Sequence, residues 1–205
     1  MRDTLRADVP TALAVFDLDD TLIDTTGVLV PAALASVARA ISRDITTLNA
    51  RGKRIDEVLA NVDGLTDAQQ FAASAAWYVP AVPALNVLPG VDAMLDTLAG
   101  KIHLALLTRG NPERQWAKIR ACKLELRFKS VCIRNIESEG SKADDLQSLM
   151  REFGVLAAKT AVIGDDPEDE IHHGAKLGCL TILVPETPIP AIVDRLKKAG
   201  LLIGN

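Results

Sequence analysis

The sequence predicts an α/β protein: a mostly parallel sheet with helices on both faces, plus a small all-helical subdomain. Three observations predict it. Five short apolar runs, at residues 13–16, 102–107, 130–133, 160–163 and 180–184, have strand length, and several are rich in β-branched residues. Unbroken apolar runs are what strands buried on both faces require. Helical patterns lie between most of these runs, and strand–helix alternation implies parallel pairing through crossover helices. One interval, residues 26–84, breaks the alternation and carries helical patterns of its own. A structureless loop of that length would be exceptional in a folded domain.

The first run, 13–16, leads into the acidic stretch "DLDDTLID". In the long interval, Leu34, Val37, Ala38, Ile41, Ile45 and Leu48 form one helical stripe, and Ile55, Val58, Leu59 and Val62 a second. Thr66 and Gln69 are spaced to cap a third helix running toward Trp77 and Tyr78. "RGKR" at 51–54 reads as a helix–helix turn, and Pro80, Pro83 and Pro89 mark the return to the main domain. Val91, Met94, Leu95 and Leu98 make one apolar helix face ahead of the second strand. Asn111 with Pro112 starts the next helix, as cap and first-turn residue. Ser141 and Asp144 form a capping box before Leu146, Leu149, Met150 and Phe153, and Gly154, Gly178 and Gly200 close helices. The expected division is a core from 1–25 and 85–205 and a helical insert at 26–84.

Composition narrows the class. With 205 residues, 48% hydrophobic and 24% charged, the chain can bury a core and is expected to be globular. A net charge of −4 argues against nucleic acid or an anionic membrane surface as a partner. No apolar run approaches the ~20 residues of a membrane span. The N-terminal stretch, with Asp3 and Asp8, lacks a signal-peptide pattern, so a cytoplasmic protein is expected. Cys122, Cys132 and Cys179 are too far apart for a metal or redox motif and are expected to be buried thiols. Composition leaves the oligomeric state open.

In open parallel sheets, ligands bind at the carboxyl ends of the strands. Those ends deliver Asp17, Asp19, Asp20 and Thr21 after the first run and Thr108, Arg109 and Asn111 after the second. The third leads to Lys142, and the fourth delivers Asp165, Asp166, Asp169 and Glu170. A lone aspartate after a strand is more often a turn or helix cap, and Asp20, Asp24 and Asp166 are read that way. Two acidic clusters on separate strands need a counter-charge, which a hard divalent cation such as Mg²⁺ supplies. Thr108 as donor and Lys142 as cation, beside the acids, suit a phosphoryl group.

"FDLDDTL", "LLTRG", the downstream lysine and "IGDDPEDEI", in this order, resemble the haloacid dehalogenase-like hydrolase superfamily. The motifs span residues 16–171. The resemblance implies a Rossmann-like core, and the insert looks like the superfamily's cap domain in its commonest position. It also implies roles. Asp17 would be the nucleophile that forms an aspartyl-phosphate. Asp19 would be the general acid and then the base, with its backbone carbonyl on Mg²⁺. Thr108, Arg109 and Lys142 would bind the phosphoryl group, with Lys142 also restraining Asp17. Asp17, Asp19 and Asp165 would hold the metal, backed by Glu170 and Asp169. Two departures stand out. "SKADD" lacks the proline that follows the lysine in many relatives, and Glu170 stands where many carry aspartate. By motif spacing Glu170 faces the metal and Asp169 points to solvent or a helix-start amide.

Members of the superfamily include phosphatases, phosphomutases, phosphonate hydrolases and dehalogenases. Dehalogenases usually lack the second aspartate, because halide leaves unprotonated, so Asp19 favours phosphate esters. A sugar phosphomutase would use the same pair. A phosphonate hydrolase would need a Schiff-base lysine in the insert, where only Lys53 is offered. A receiver-type signalling domain has no such insert, and a silent phosphate- or metal-binding regulatory protein would not need the full set. The expectation is a Mg²⁺-dependent phosphatase of a small phosphorylated metabolite. Arg39, Arg43, Arg51, Lys53, Arg54, Trp77 and Tyr78 are the insert's candidates for reading the substrate, and none is assigned.

Overall fold

The computed structural model describes residues 10–44, 46, 48, 55–78, 85–135 and 139–202. Its centre is a five-stranded, all-parallel sheet of order β3-β2-β1-β4-β5. The strands are β1 (Leu13–Phe16), β2 (His103–Arg109), β3 (Ser130–Arg134), β4 (Thr160–Gly164) and β5 (Leu180–Leu183). These match the five apolar runs to within two residues at their ends.

β1 lies in the middle, with Leu13 opposite His103 on one side and Thr160 on the other. Its side chains alternate between two cores. Ala14 and Phe16 join Leu104 and Leu106 of β2 in a cluster covered by α4 (Val91–Leu98), α5 (Pro112–Ala121) and α8 (Ile189–Lys198). Leu13 and Val15 join Ala105, Leu107 and Val162 under α6 (Lys142–Phe153). Both faces being apolar explains why the strand reads as a run and not as an alternation. Burying a side chain such as Phe16 stabilises the fold by roughly 1.5–3 kcal/mol relative to exposure.

The helix signals are met locally. Asn111 Oδ1 accepts from the Arg114 N–H at 3.1 Å, and the Ser141–Asp144 box closes with both reciprocal contacts. Gly154, Gly178 and Gly200 take left-handed φ values of 65°, 82° and 67° where helices end. A short helix, α7 (His172–Lys176), precedes β5.

Within 26–84, α1 (Val30–Ala40), α2 (Ile55–Leu59) and α3 (Asp67–Tyr78) pack around their own apolar cluster, which includes Ala33, Val37, Ile41, Leu59, Ala73 and Trp77. The Thr66–Gln69 cap forms, with Gln69 N–H donating to Thr66 Oγ1 at 3.2 Å and Thr66 N–H to Gln69 Oε1 at 3.1 Å. Two expectations are corrected. The stripe from Leu34 to Leu48 is not one helix: α1 ends at Ala40, and Ser42 turns left-handed (φ 53°). Ile41 and Leu48 stay buried because the chain beyond the helix folds over the same core. The second stripe forms only the short α2, with Val62 packed from the following turn. Ile45, residues 51–54, Pro80, Pro83 and the side chain of Tyr78 lie outside the described residues, as do Asp3 and Asp8.

The cysteines are half-buried rather than buried, and all three are free. Burial, helped by Asp92, lifts the Cys122 thiol to about 11, so it is not a thiolate near neutral pH. No helix among the described residues is long and apolar enough to cross a membrane.

Candidate active site

The site forms where β1, β2 and β4 end. Asp17 directly follows β1, and its N–H donates to Ile163 O at 2.9 Å, extending the sheet by one rung. The chain then folds back sharply. Leu22 and Ile23 N–H both reach Leu18 O, at 3.0 and 3.2 Å, and Asp20 takes a left-handed φ of 54°. Asp20 is a turn residue, as expected: its carboxylate accepts from Thr25 N–H (2.9 Å) and Thr26 N–H (2.8 Å). Asp24 accepts from Gly27 N–H at 2.6 Å, and Asp166 from Glu168 and Asp169 N–H at 2.8 and 3.2 Å.

Asp17, Asp165 and Glu170 converge, each presenting a carboxylate oxygen within 4.8 Å of the others. Burial raises the Asp17 carboxyl well above its ordinary value, Lys142 opposes the rise, and Glu170, Asp19 and Asp165 add to it. Asp165 is lifted to about 6 by burial, with Glu170 and Asp20 contributing. Three converging carboxylates, two of them (Asp17 and Asp165) with ionisation disfavoured by burial, fit a hard divalent cation that would supply the missing counter-charge.

Lys142, the first residue of α6, is buried and meets three acids: Glu170 Oε2 at 2.7 Å, Asp17 Oδ1 at 3.2 Å and Asp169 Oδ2 at 3.2 Å. Burial opposes its charge, but Asp17, Glu170 and Asp169 together hold its pKa above the ordinary lysine value. Ala143 stands where many relatives carry proline, and α6 starts there regardless through the Ser141–Asp144 box. Asp169 departs from expectation. It turns to Lys142 and to His173 Nδ1 (3.4 Å), not to solvent or a helix-start amide. Glu170 lies on the acid cluster and accepts from Asp166 N–H at 2.8 Å. Its extra methylene is accommodated by Gly164, since a Cβ there would sit 2.2 Å from Glu170 Cγ.

Thr108 is buried at the end of β2, and Arg109, the next residue, is exposed at the rim. The hollow shared by Asp17, Asp19, Thr108, Arg109, Lys142, Asp165 and Glu170 holds about 170 Å³. That is below the ~300–1,000 Å³ of pockets that enclose a drug-sized ligand. It admits a small group and leaves the rest of a substrate at the rim. Two larger hollows, of about 530 and 580 Å³, lie at the amino end of β2 and beside the end of α6. Neither gathers a cluster of acids.

Sequence reasoning missed two residues. Lys118 Nζ donates to both oxygens of Asp19, at 2.7 and 2.9 Å. Gln115 Nε2 donates to Asp19 Oδ2 (2.9 Å), Thr108 Oγ1 (2.7 Å) and Arg109 O (3.1 Å). Thr25 Oγ1 also donates to Asp19. Burial alone would raise Asp19, yet Lys118, Thr25 and Gln115 bring it below the usual carboxylate range. Gln115 and Lys118 occupy buried positions beside Ile119 on the inward face of α5, and no motif in the sequence singles them out.

A model of the haloacid dehalogenase-like hydrolase family matches residues 11–172. The chain belongs to this family. No curated protein matches the sequence. Among solved structures, this hydrolase is similar to a candidate β-phosphoglucomutase from Thermotoga maritima, with a TM-score of 0.71, 16% identity, and 91% of this chain and 99% of that chain covered. It is similar to a 2-haloacid dehalogenase from Pseudomonas syringae (0.63, 20%, 91% and 98%). It also resembles a predicted phosphoglycolate phosphatase from Haemophilus somnus (0.63, 17%, 86% of both chains). At these identities the likeness concerns the fold, which the hydrolase shares with proteins named for three different reactions.

Of the insert's candidates, Arg39 and Arg43 are exposed; Arg39 donates to Ser36 Oγ and Arg43 to Asp63 O. Trp77 is buried in the insert's core, and the Arg114 guanidinium lies 5.2 Å from its ring centre, linking insert to α5.

Proposed function

We propose that this hydrolase is a Mg²⁺-dependent phosphatase acting on a small phosphomonoester through an aspartyl-phosphate on Asp17. The observation that carries the reading is the placement of Asp17 and Asp19 together in one small acidic hollow with Asp165, Glu170 and Lys142. Asp17 attacks phosphorus and the P–O ester bond breaks. Asp19 rests ionised beside Lys118 and takes up a proton as the phosphate dianion binds next to it. It gives that proton to the leaving oxygen, then takes one from the water that attacks the aspartyl-phosphate and frees inorganic phosphate. Lys142 keeps Asp17 oriented, and Lys142, Thr108 and Arg109 offer charge and donors to the phosphoryl oxygens. Mg²⁺ would be held by Asp17 and Asp165, with Glu170 beside them, and, as the family resemblance implies, by the backbone carbonyl of Asp19, and would supply positive charge that balances acids and phosphate. In this reading 1–25 and 85–205 carry the chemistry, and 26–84 covers the site and reads the leaving group.

The test is release of p-nitrophenol from p-nitrophenyl phosphate with Mg²⁺ and in excess chelator. Turnover only with the metal supports the reading, and its absence in both rejects it. A panel of sugar phosphates, analysed for inorganic phosphate against isomerised sugar phosphate, separates hydrolysis from mutase chemistry.

Two further outcomes are expected. Asp19→Ala slows alkyl phosphates more than p-nitrophenyl phosphate, since general acid help is worth ~10²–10⁴-fold and a good leaving group needs little of it. Single-turnover measurement of alcohol release isolates that step; no loss on either ester removes Asp19 from the mechanism. Glu170→Gln raises the Mg²⁺ requirement ~10–100-fold, the usual scale for a group that supports metal ligands. Asp169→Asn raises it less, because Asp169 touches Lys142 and His173 but is not in the three-acid cluster. The reverse order in a Mg²⁺ titration assigns the second acidic role to Asp169.

A further inference from the structure

We infer that Lys118 and Gln115 are positioning residues that hold the Asp19 carboxylate in register with the Thr108 hydroxyl, and that turnover of esters with poor leaving groups depends on this clamp. The inference rests on the phosphatase reading above and goes beyond the motif residues to α5.

The geometry carries it. α5 starts immediately after β2, so its inward stripe passes over the carboxyl end of β1. Two positions of that stripe are polar: Gln115 is 2% exposed and Lys118 4%. Both oxygens of Asp19 are engaged by Lys118, and Gln115 ties one of them to Thr108 and to the backbone at Arg109. The carbonyl of Arg109 and the ionised carboxylate of Asp19 can only accept, so Gln115 must present its amide nitrogen to them.

Stability does not call for this arrangement. A buried ammonium is costly, and an apolar side chain of similar size usually serves a helix interior at least as well. Asp19 retains 28% side-chain exposure, so water could satisfy its carboxylate without a buried lysine. What Lys118 and Gln115 add is a fixed direction. Asp19 must meet the leaving oxygen of a phosphoryl group bound at Thr108, and one amide bridges those two side chains. A misplacement near 1 Å is enough to cost ~10²-fold in rate.

The experiment uses the full chain with Mg²⁺. Single-turnover rates of alcohol release are measured for p-nitrophenyl phosphate and for an alkyl phosphomonoester, in wild type, Lys118→Met, Asp19→Asn and the double variant. Lys118→Met is expected to lose ~10²-fold on the alkyl ester and less than about tenfold on p-nitrophenyl phosphate. In the Asp19→Asn background the same change should alter the rate by no more than roughly twofold, because its effect passes through Asp19. Equal losses on the two esters, or a full loss that persists without the Asp19 carboxylate, overturn the inference and leave the phosphatase reading standing. Inactive wild type on both esters overturns that reading and this inference with it. Should Lys118→Met fail to fold, Gln115→Met carries the same comparison, with the same split expected and the same outcomes overturning it.

Discussion

Asp17→Asn is expected to abolish turnover while leaving the fold intact. The change is nearly isosteric, and the amide oxygen can still accept from Lys142. It removes the charge that attacks phosphorus, and losing a covalent nucleophile typically costs ~10⁴–10⁶-fold. Burial disfavours the Asp17 carboxylate, Lys142 counters this, and Glu170, Asp19 and Asp165 add repulsion. Replacing the carboxylate by a neutral amide relieves those penalties, so the thermal midpoint without Mg²⁺ should be unchanged or higher. Mass spectrometry of quenched enzyme should find a phosphoryl group on Asp17 in wild type and none in the variant. A folded Asp17→Asn protein that hydrolyses at near wild-type rate rejects the mechanism.

Asp165→Asn is expected to remove most Mg²⁺ binding, seen as loss of the Mg²⁺-dependent rise in thermal midpoint as well as loss of activity. It deletes one of three carboxylates placed around a common point. Its pH dependence has a definite sign. The metal-free carboxyl is raised from 3.8 to about 6, by burial first and then by Glu170 and Asp20. Protons therefore compete with the cation below about pH 6, and the Mg²⁺ requirement of wild type should rise as pH falls through that value. The folded metal-free chain binds this proton more tightly than the unfolded chain does. Its contribution to stability is full below about pH 4 and is lost as pH rises through about 6. Mg²⁺ should accordingly stabilise most above pH 6. A Mg²⁺ effect on the Asp165→Asn midpoint equal to that on wild type would remove Asp165 from the metal site.

The parallel core was legible because a strand buried on both faces has few polar positions to interrupt it. β1, β2 and β4 are buried along nearly their whole length, and the half-buried edge strands β3 and β5 still carry apolar runs. Asp17, Thr108 and Asp165 were legible for a related reason, since polar groups at the carboxyl ends of such strands stand out, whereas Lys142, at the start of α6, was legible through its place in the motif order. The insert was less so. Apolar periodicity from Leu34 to Leu48 records which side chains are buried, and a turn whose residues point into the same core leaves the same trace. No glycine or proline marks the end of α1; Ser42 adopts the left-handed conformation instead. Gln115 and Lys118 were hidden by chemistry. On a helix with Glu113, Arg114 and Arg120, a glutamine and a lysine look like solvated surface, and only the packing of α5 over β1 turns them inward. Asp169 was placed by motif spacing alone, which cannot see that His173, one helical turn on, draws it in.

The central position of β1 has a consequence for how the chain acquires its activity. Leu13 pairs with His103 and Thr160, and the backbone at Asp17 is secured by Ile163. During synthesis Asp17 therefore emerges early and waits for most of the chain before its seat exists. The helical insert, whose α1 and α3 pack within one short stretch of sequence, can close its contacts far sooner. Loop closure over long separations is the slow, entropically costly part of assembling such a sheet. Until β4 arrives, one edge of β1 remains unpaired and open to association with other chains.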